Sequence, residues 1–369
     1  MGEKPKLERS LKCYLKYGAI ISPLGDSIEE HYSAFLDNKS GIKKEGKIGF
    51  NSENFFLARI DNLGNSRYNT LLNQACEKLI QNYSSSFLQN PKTGVIVSTT
   101  KANLAAITSD TFESTRRIID EIIHPFHEPI IISNACISGV LAVNTAADYI
   151  RLNKFDQVII IGIDVLSDFI IYGFQSLFAL SNEACRPFDK ERNGISLGEA
   201  CGILVMMNTP DDDCIVEVLG GASSNDANHI SGPSRTGEGL FRAIHKSLER
   251  SGILKEEIDF ISAHGTATTY NDEMEAIAFN RLGLNHIPTN SFKGYFGHTL
   301  GAAGIIEIIM CMVSMEKNTL FKSIGYTEIG TSERLNVISE NQKVQVTTVL
   351  KTASGFGGGN AAVLLKCIQ

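Results

Sequence analysis

Apolar residues along this chain fall into two spacings. Short runs rich in branched apolar residues predict strands over 94–99, 129–133, 157–163, 203–207, 215–219, 258–263, 344–352 and 361–366. Apolar positions three and four apart predict helices over 27–36, 68–83, 139–152, 240–251, 272–282 and 304–315. Strands alternate with helices and no low-complexity linker intervenes, the pattern of an α/β fold. Two of the helices are apolar on nearly all sides. One runs through Ile137, Val140, Leu141, Val143, Ala147 and Ile150, the other through Ile305, Ile309 and Met312. A helix without a polar face belongs in a protein interior. Each follows a loop of small residues, and each lies in a different half of the chain. The halves meet near 210–213, which gives candidate units of 1–212 and 213–369.

The chemistry gathers at the loops that introduce these helices. Pro129-Ile130-Ile131-Ile132 reads as a fully buried strand, and Ser133-Asn134-Ala135-Cys136-Ile137-Ser138-Gly139 places a cysteine where that strand turns into a helix. A thiol there meets the positive end of the helix dipole and amides without intrahelical partners, and both favour thiolate. The same segment is also consistent with an inert buried cysteine. Further on, Ser262-Ala263-His264-Gly265-Thr266-Ala267-Thr268 and Gly297-His298-Thr299-Leu300-Gly301-Ala302-Ala303-Gly304 each carry one histidine among small residues. Taken singly, each histidine reads as a satisfied core or loop residue. A cysteine with two distant histidines is a nucleophilic constellation, because the fold can bring them together.

Composition narrows the field. With 369 residues and 43% hydrophobic content, the chain can bury a large core in one or two domains. Its eight cysteines show no CxxC spacing, which argues against a disulfide framework or zinc ribbon and for a reducing cytoplasm. The charged segment 1–12 has no apolar h-region, so secretion is not expected. No apolar run approaches the roughly 20 residues of a membrane span, so no membrane insertion is expected. A net charge of −7 gives no support for nucleic-acid binding.

Across nearly its whole length the chain resembles the β-ketoacyl-[acyl carrier protein] synthases. The resemblance is carried by Ile20-Ile21-Ser22-Pro23-Leu24-Gly25, Ala135-Cys136-Ile137-Ser138-Gly139, Arg186-Pro187-Phe188-Asp189, and Arg192-Asn193-Gly194 with Gly198-Glu199-Ala200. It continues through His264-Gly265-Thr266-Ala267-Thr268 with Asp272, Lys293 with Gly297-His298 and Gly301-Ala302-Ala303-Gly304, and Gly355-Phe356-Gly357-Gly358-Gly359-Asn360. The family implies a thiolase-like fold, two similar α/β halves in five αβαβα layers, with the two apolar helices at the centre. It implies that Cys136 is acylated, that His264 and His298 stabilise the enolate formed from a malonyl thioester, and that the amides of Cys136 and Phe356 form the oxyanion hole. By the same resemblance Lys293 is the active-site lysine and Glu307 its support. Thr266 and Thr268 hold the phosphopantetheine arm, Phe356 gates the acyl pocket, and Ile137 shapes it. Read without the family, these are a solvated lysine, a helix-surface glutamate, turn threonines and a core phenylalanine. No metal and no resident cofactor is implied, since phosphopantetheine arrives on the acyl carrier protein, in acyl and malonyl forms. A homodimer is expected, with a heterodimer as the alternative.

Other features carry less. Gly355-Phe356-Gly357-Gly358-Gly359 lacks the Lys-Ser/Thr of a phosphate-binding loop and leads into a strand. His124-Pro125-Phe126-His127 reads as a surface loop, Asp211-Asp212-Asp213 as a turn, and Cys185 and Cys201 as packing residues. The stretch 354–360 has no cysteine, unlike the degradative thiolases, and His298 stands where the initiating branch of the family carries asparagine. The Cys-His-His set therefore indicates the elongating branch, in fatty-acid or polyketide and aryl-polyene synthesis. A non-catalytic subunit of the chain-length-factor type is the competing reading, and Cys136 argues against it. Ile137, Ser354 and Gly359 depart from the family's usual residues.

Overall fold

The computed structural model describes residues 11–104, 110–226 and 232–368. The segment 1–10, on which the expectation about secretion chiefly rests, lies outside them. In chain order the strands are β1 (Tyr14–Ile21), β2 (Lys43–Ile48), β3 (Glu53–Leu57), β4 (Thr93–Ser98), β5 (Ile130–Ile132), β6 (Gln157–Asp164) and β7 (Ala200–Met207), followed by β8 (Val216–Asn225), β9 (Phe260–Ser262), β10 (Thr289–Asn290), β11 (Thr319–Leu320), β12 (Gln342–Lys343), β13 (Thr348–Ser354) and β14 (Gly359–Cys367). The helices are α1 (Ile28–Leu36), α2 (Arg67–Asn82), α3 (Ser85–Leu88), α4 (Glu113–Ile123), α5 (Ser138–Arg151), α6 (Asp168–Ser176), α7 (Glu238–Ser251), α8 (Thr269–Arg281), α9 (Lys293–Phe296) and α10 (Ala303–Glu316).

Ten strands join in the order β10-β9-β13-β14-β8-β1-β7-β6-β4-β5. The seam is β8 with β1, which pair only at Tyr14 with Glu217 and Leu15 with Val216. On one side β5, β4 and β6 are parallel, and β7 and β1 run antiparallel beyond them. On the other side β10, β9 and β13 are parallel, and β14 and β8 run antiparallel. Numbered within its own half, each side has the strand order 3-2-4-5-1. The chain is thus built from one topology used twice, and the expected boundary at 212/213 falls in the loop between β7 and β8.

Side-chain alternation along these strands produces the layers. Ile96, Ile160 and Leu204 point into a central core, while Val97, Ile161 and Ile203 point into an outer one with Leu71, Leu72 and Leu79 of α2 and Ile118 and Ile119 of α4. In the second half, Leu240 and Ile244 of α7 and Phe279 of α8 cover Ile261, Leu350 and Leu364. Helices α5 and α10 fill the central layer, and every residue from Ala303 to Met315 is buried. This is the expected thiolase-like αβαβα sandwich. Among the described residues no helix is long and apolar enough to cross a membrane.

Three local expectations are corrected. The run Ile130–Ile132 is half-buried, not fully buried, because β5 is the last strand of the sheet and, among the described residues, only β4 pairs with it. The strand expected over 344–352 starts at Thr348, after the exposed Val344. Helices α4 and α6 and the hairpin β2–β3 were not expected. The last of these is short and largely polar, with an exposed Lys43, Lys44 and Lys47.

Candidate active site

The turn between β5 and α5 is held by its own side chains. Ala135 takes a left-handed φ of 44°. The Ser138 hydroxyl donates to the Ala135 carbonyl (2.7 Å) and accepts from the Asn134 amide (2.8 Å). This clamp sets Cys136 two residues before the first turn of α5, with 6% of its surface exposed.

His264 follows β9. Two carboxylates of α8, three residues apart on one face, hold its loop. Glu275 accepts from the amides of His264 (2.8 Å) and Gly265 (2.6 Å), and Asp272 accepts from the amide of Thr266 (2.8 Å). Burial, with the charge of Asp272 beside it, pushes Glu275 up to about 7, and burial raises Asp272. His298 is fixed from the first half of the chain. Its amide donates to the Ser196 carbonyl (2.7 Å), and three residues on the Gly301 amide donates to Asp164 at the end of β6 (2.8 Å).

These loops bring the three residues together as expected. The Cys136 sulfur and a ring nitrogen from each histidine lie within 4.8 Å of one another. The two rings meet edge to face, 5.1 Å between centres. Each Nδ1 already receives a hydrogen bond. The Leu300 amide donates to that of His298 (3.2 Å), and the Lys293 ammonium to that of His264 (3.3 Å). The proton of each neutral ring is therefore assigned to Nε2, and Nε2 of His298 has no partner among the described residues. Both histidines are held well below their ordinary pKa, first by burial and then by Lys293. Both remain neutral at physiological pH and present N–H donors.

The cysteine corrects the expectation from its sequence position. Burial outweighs every favourable charge and pushes the Cys136 thiol up to about 12, although Lys293 and the amide of Phe356 oppose it. The resting side chain is a thiol, so its proton leaves during reaction. Lys293 and Glu307 are not solvated: both are buried, with Nζ to Oε1 at 2.7 Å, and Lys293 also donates to the His264 carbonyl (2.5 Å).

His264, His298 and Phe356 face a cavity of about 400 Å³ that also exposes Thr266 and Thr268. The two threonine hydroxyls are 2.8 Å apart, and Thr268 caps α8. Phe356 stacks on Phe174 of α6, with ring centres 5.4 Å apart. The three sulfur and nitrogen donors are close enough to be weighed as a metal set. Two buried lysines against one carboxylate, Glu307, give the pocket surplus positive charge, which opposes a cation. We assign no metal role to these residues. Glu275, Phe174 and Lys351 are the residues that sequence reasoning missed.

Two departures from the family pattern compensate one another. Ile137 lies outside the cavity, in the central core, and a Cβ built on Gly359 comes 2.9 Å from its Cδ1. Glycine at 359 makes room for isoleucine at 137. Ser354 donates to Asn360 Oδ1 (2.8 Å), fastening the glycine-rich turn. Gly359→Thr is expected to cost about 1–2 kcal/mol. In an Ile137→Thr background the same change should cost less than half that. Thermal denaturation of the four proteins measures the coupling, and equal costs in both backgrounds refute it.

Comparison with known proteins agrees with this geometry. Residues 129–212 match the profile described as "Beta-ketoacyl synthase, N-terminal domain", and residues 215–327 match "Beta-ketoacyl synthase, C-terminal domain". The 3-oxoacyl-[acyl-carrier-protein] synthase 2 of Coxiella burnetii is 27% identical over 94% of this chain and 96% of its own length. The enzyme of the same name from Rhizobium meliloti is 31% identical over 63% of this chain, a stretch that spans 59% of that protein. Among solved structures, a chain of the complex between a ketosynthase and its chain length factor from Xenorhabdus doucetiae superposes with a TM-score of 0.86 at 25% identity, over 100% of both chains. The ishigamide ketosynthase/chain length factor gives 0.87 at 25% identity, over 98% of this chain and 100% of the other. Both halves of its sequence, and the Cys-His-His site they build together, place this chain in the β-ketoacyl synthase family of acyltransferases.

Proposed function

We propose that this chain is a 3-oxoacyl-[acyl carrier protein] synthase that condenses an acyl thioester with malonyl-[acyl carrier protein]. The observation that carries the reading is the meeting of the Cys136 sulfur with two neutral histidines whose Nδ1 atoms are both engaged. Cys136 attacks the acyl thioester carbonyl, and its proton leaves with the departing carrier thiol. The amides of Cys136 and Phe356 stabilise the oxyanion of that step. Malonyl thioester then loses carbon dioxide. The electron pair of the broken bond becomes an enolate, whose oxygen accepts hydrogen bonds from Nε2 of His264 and His298. The enolate carbon attacks the acyl-Cys136 carbonyl, the Cys136–acyl bond breaks, and the released thiolate takes a proton from water. Thr266 and Thr268 bind the phosphopantetheine arm in the cavity, and Phe356 with Phe174 separates it from the acyl side.

The relatives are named for a 3-oxoacyl group held on an acyl carrier protein, which supports an acyl carrier protein as partner. The open apolar edge of β5 supports pairing with a second chain, either another copy or a chain-length-factor-type subunit. Incubation with acyl- and malonyl-carrier proteins should yield a 3-oxoacyl-carrier product and a Cys136-dependent acyl adduct in the intact-protein mass. The acyl chain preferred in that assay distinguishes fatty-acid from polyketide or aryl-polyene synthesis. No adduct and no decarboxylation, with and without a partner subunit, would favour the non-catalytic reading.

A further inference from the structure

A second buried lysine lies beneath the histidine pair. Lys351 stands on the inward face of β13, fully buried, where Val349 and Ala353 of the same strand join the central core. Its Nζ is 2.6 Å from Glu307 Oε2 and 3.2 Å from the carbonyl oxygens of Ser262 and Ala263, the two residues before His264. The other oxygen of Glu307 is 2.7 Å from Lys293. One buried carboxylate thus sits between two buried ammonium groups. Other titratable groups face this cluster. Cys311 comes from α10 and Cys136 from the start of α5. Asp164 at the end of β6 is matched by Lys101 at 2.8 Å. Asp272 and Glu275 of α8 are bonded to loop amides, and Arg192 lies 3.9 Å from Asp272. With both lysines protonated, the Lys293–Glu307–Lys351 group carries a charge of +1.

A lysine confined to the core is expensive, and an apolar residue of its shape is often as good for stability alone. We infer that Lys351 is a positioning residue of the condensation: by sharing Glu307 with Lys293 it keeps one surplus positive charge beside the histidines, so that both rings stay neutral and offer Nε2–H to the enolate. This rests on the reaction proposed above. The charges act in the required direction, since Lys293 and Lys351 each push both histidines further below their ordinary pKa, behind burial itself. Burial depresses Lys351 as well, and Glu307 works against that. Removing a positive neighbour raises the pKa of a histidine. The rings then protonate at higher pH, and the acid limb of any step that needs them neutral moves up.

Four variants read the charge: Lys351→Met, Lys351→Arg, Glu307→Gln, and Lys351→Met combined with Glu307→Gln. The substrate-free measurement is NMR titration of protein carrying ¹³C-labelled histidine, and its companion is the pH profile of malonyl-carrier decarboxylation. Lys351→Met should raise the histidine midpoints and the acid limb by about one pH unit. Lys351→Arg should leave both in place. Glu307→Gln, which brings the group to +2, should lower the midpoints, and the double variant, back at +1, should return towards the parent. Equal titration in the Met and Arg variants, or a double variant that shifts at least as far as Lys351→Met, overturns the inference. Should Lys351→Met fail to fold, a rise of the midpoints in Glu307→Gln overturns it equally well. Correct midpoints without any condensation would leave the charge arrangement standing and remove the proposed reaction.

Discussion

Cys136→Ala lowers the condensation rate by at least about 10⁴-fold, the scale on which losing a covalent nucleophile is felt. The substitution removes the bond-forming atom and little else, because alanine fits the space that the buried thiol leaves. Decarboxylation of malonyl-carrier remains measurable in this variant, since the donors for that step are the histidines and not the cysteine. His264→Ala and His298→Ala show the complementary loss. Each takes away one N–H donor aimed at the enolate oxygen, worth about 10²–10³-fold in decarboxylation. Acylation of Cys136 persists in both, although Lys293 loses a hydrogen-bonding partner in the first. Single-turnover assays that follow the acyl adduct, carbon dioxide and 3-oxoacyl product separately resolve these signatures. A Cys136→Ala protein that still condenses at more than a hundredth of the parent rate would move the nucleophile elsewhere. Equal loss of all three products in the histidine variants would make those residues structural.

The sequence makes this site legible where chemistry and backbone constraint coincide in a short stretch. Cys136, His264 and His298 each sit in loops of small residues, and such loops say little singly but make a strong signal when taken together and in order. The resemblance supplied Lys293 and Glu307, because nothing in their local pattern separates a buried ion pair from a solvated one. Lys351 escaped for the opposite reason. In Thr348-Val349-Leu350-Lys351-Thr352-Ala353 an isolated lysine reads as a solvent-facing position, and only the central helices α5 and α10, packed over β13, turn that face inward. Glu275 was hidden in the same way, on a helix whose two faces differ little in polarity and whose carboxylates point back at the loop before them. The thiol was misjudged because proximity to a helix start is local and readable, whereas the burial that outweighs it depends on the whole central layer. The duplication was invisible in residue identities and plain in strand order, since topology outlasts the sequences that first specified it.

That central layer carries the second large effect. Helices α5 and α10 cross at Gly139 and Gly304, so closely that a Cβ on Gly304 falls 2.5 Å from the Val140 nitrogen and 2.8 Å from the Gly139 carbonyl carbon. A Cβ on Gly139 falls 2.9 Å from the Gly304 Cα. The obstructing atoms are backbone, so no rotamer change can relieve the clash and the helices must separate. Ala at 304 gains up to about 1 kcal/mol in helix propensity. Overpacking of 1–3 kcal/mol or more outweighs it, for a net loss of about 2 kcal/mol. Val at the same position exceeds that and leaves little folded protein. The crossing lies three residues after Cys136 and six after His298, so parting the helices also parts the reacting groups. A displacement near 1 Å can cost about 10²-fold in rate, and Gly304→Ala should lose at least that much condensation at temperatures where it is still folded. Gly173 in α6 supplies the contrast, because nothing among the described residues lies within 4 Å of its built Cβ. Gly173→Ala should raise stability by about 0.5–1 kcal/mol. Urea denaturation of both variants separates the two terms. If Gly304→Ala is as stable as its parent, the helices can slide apart without cost, and the close crossing is not what holds the cysteine against the histidines.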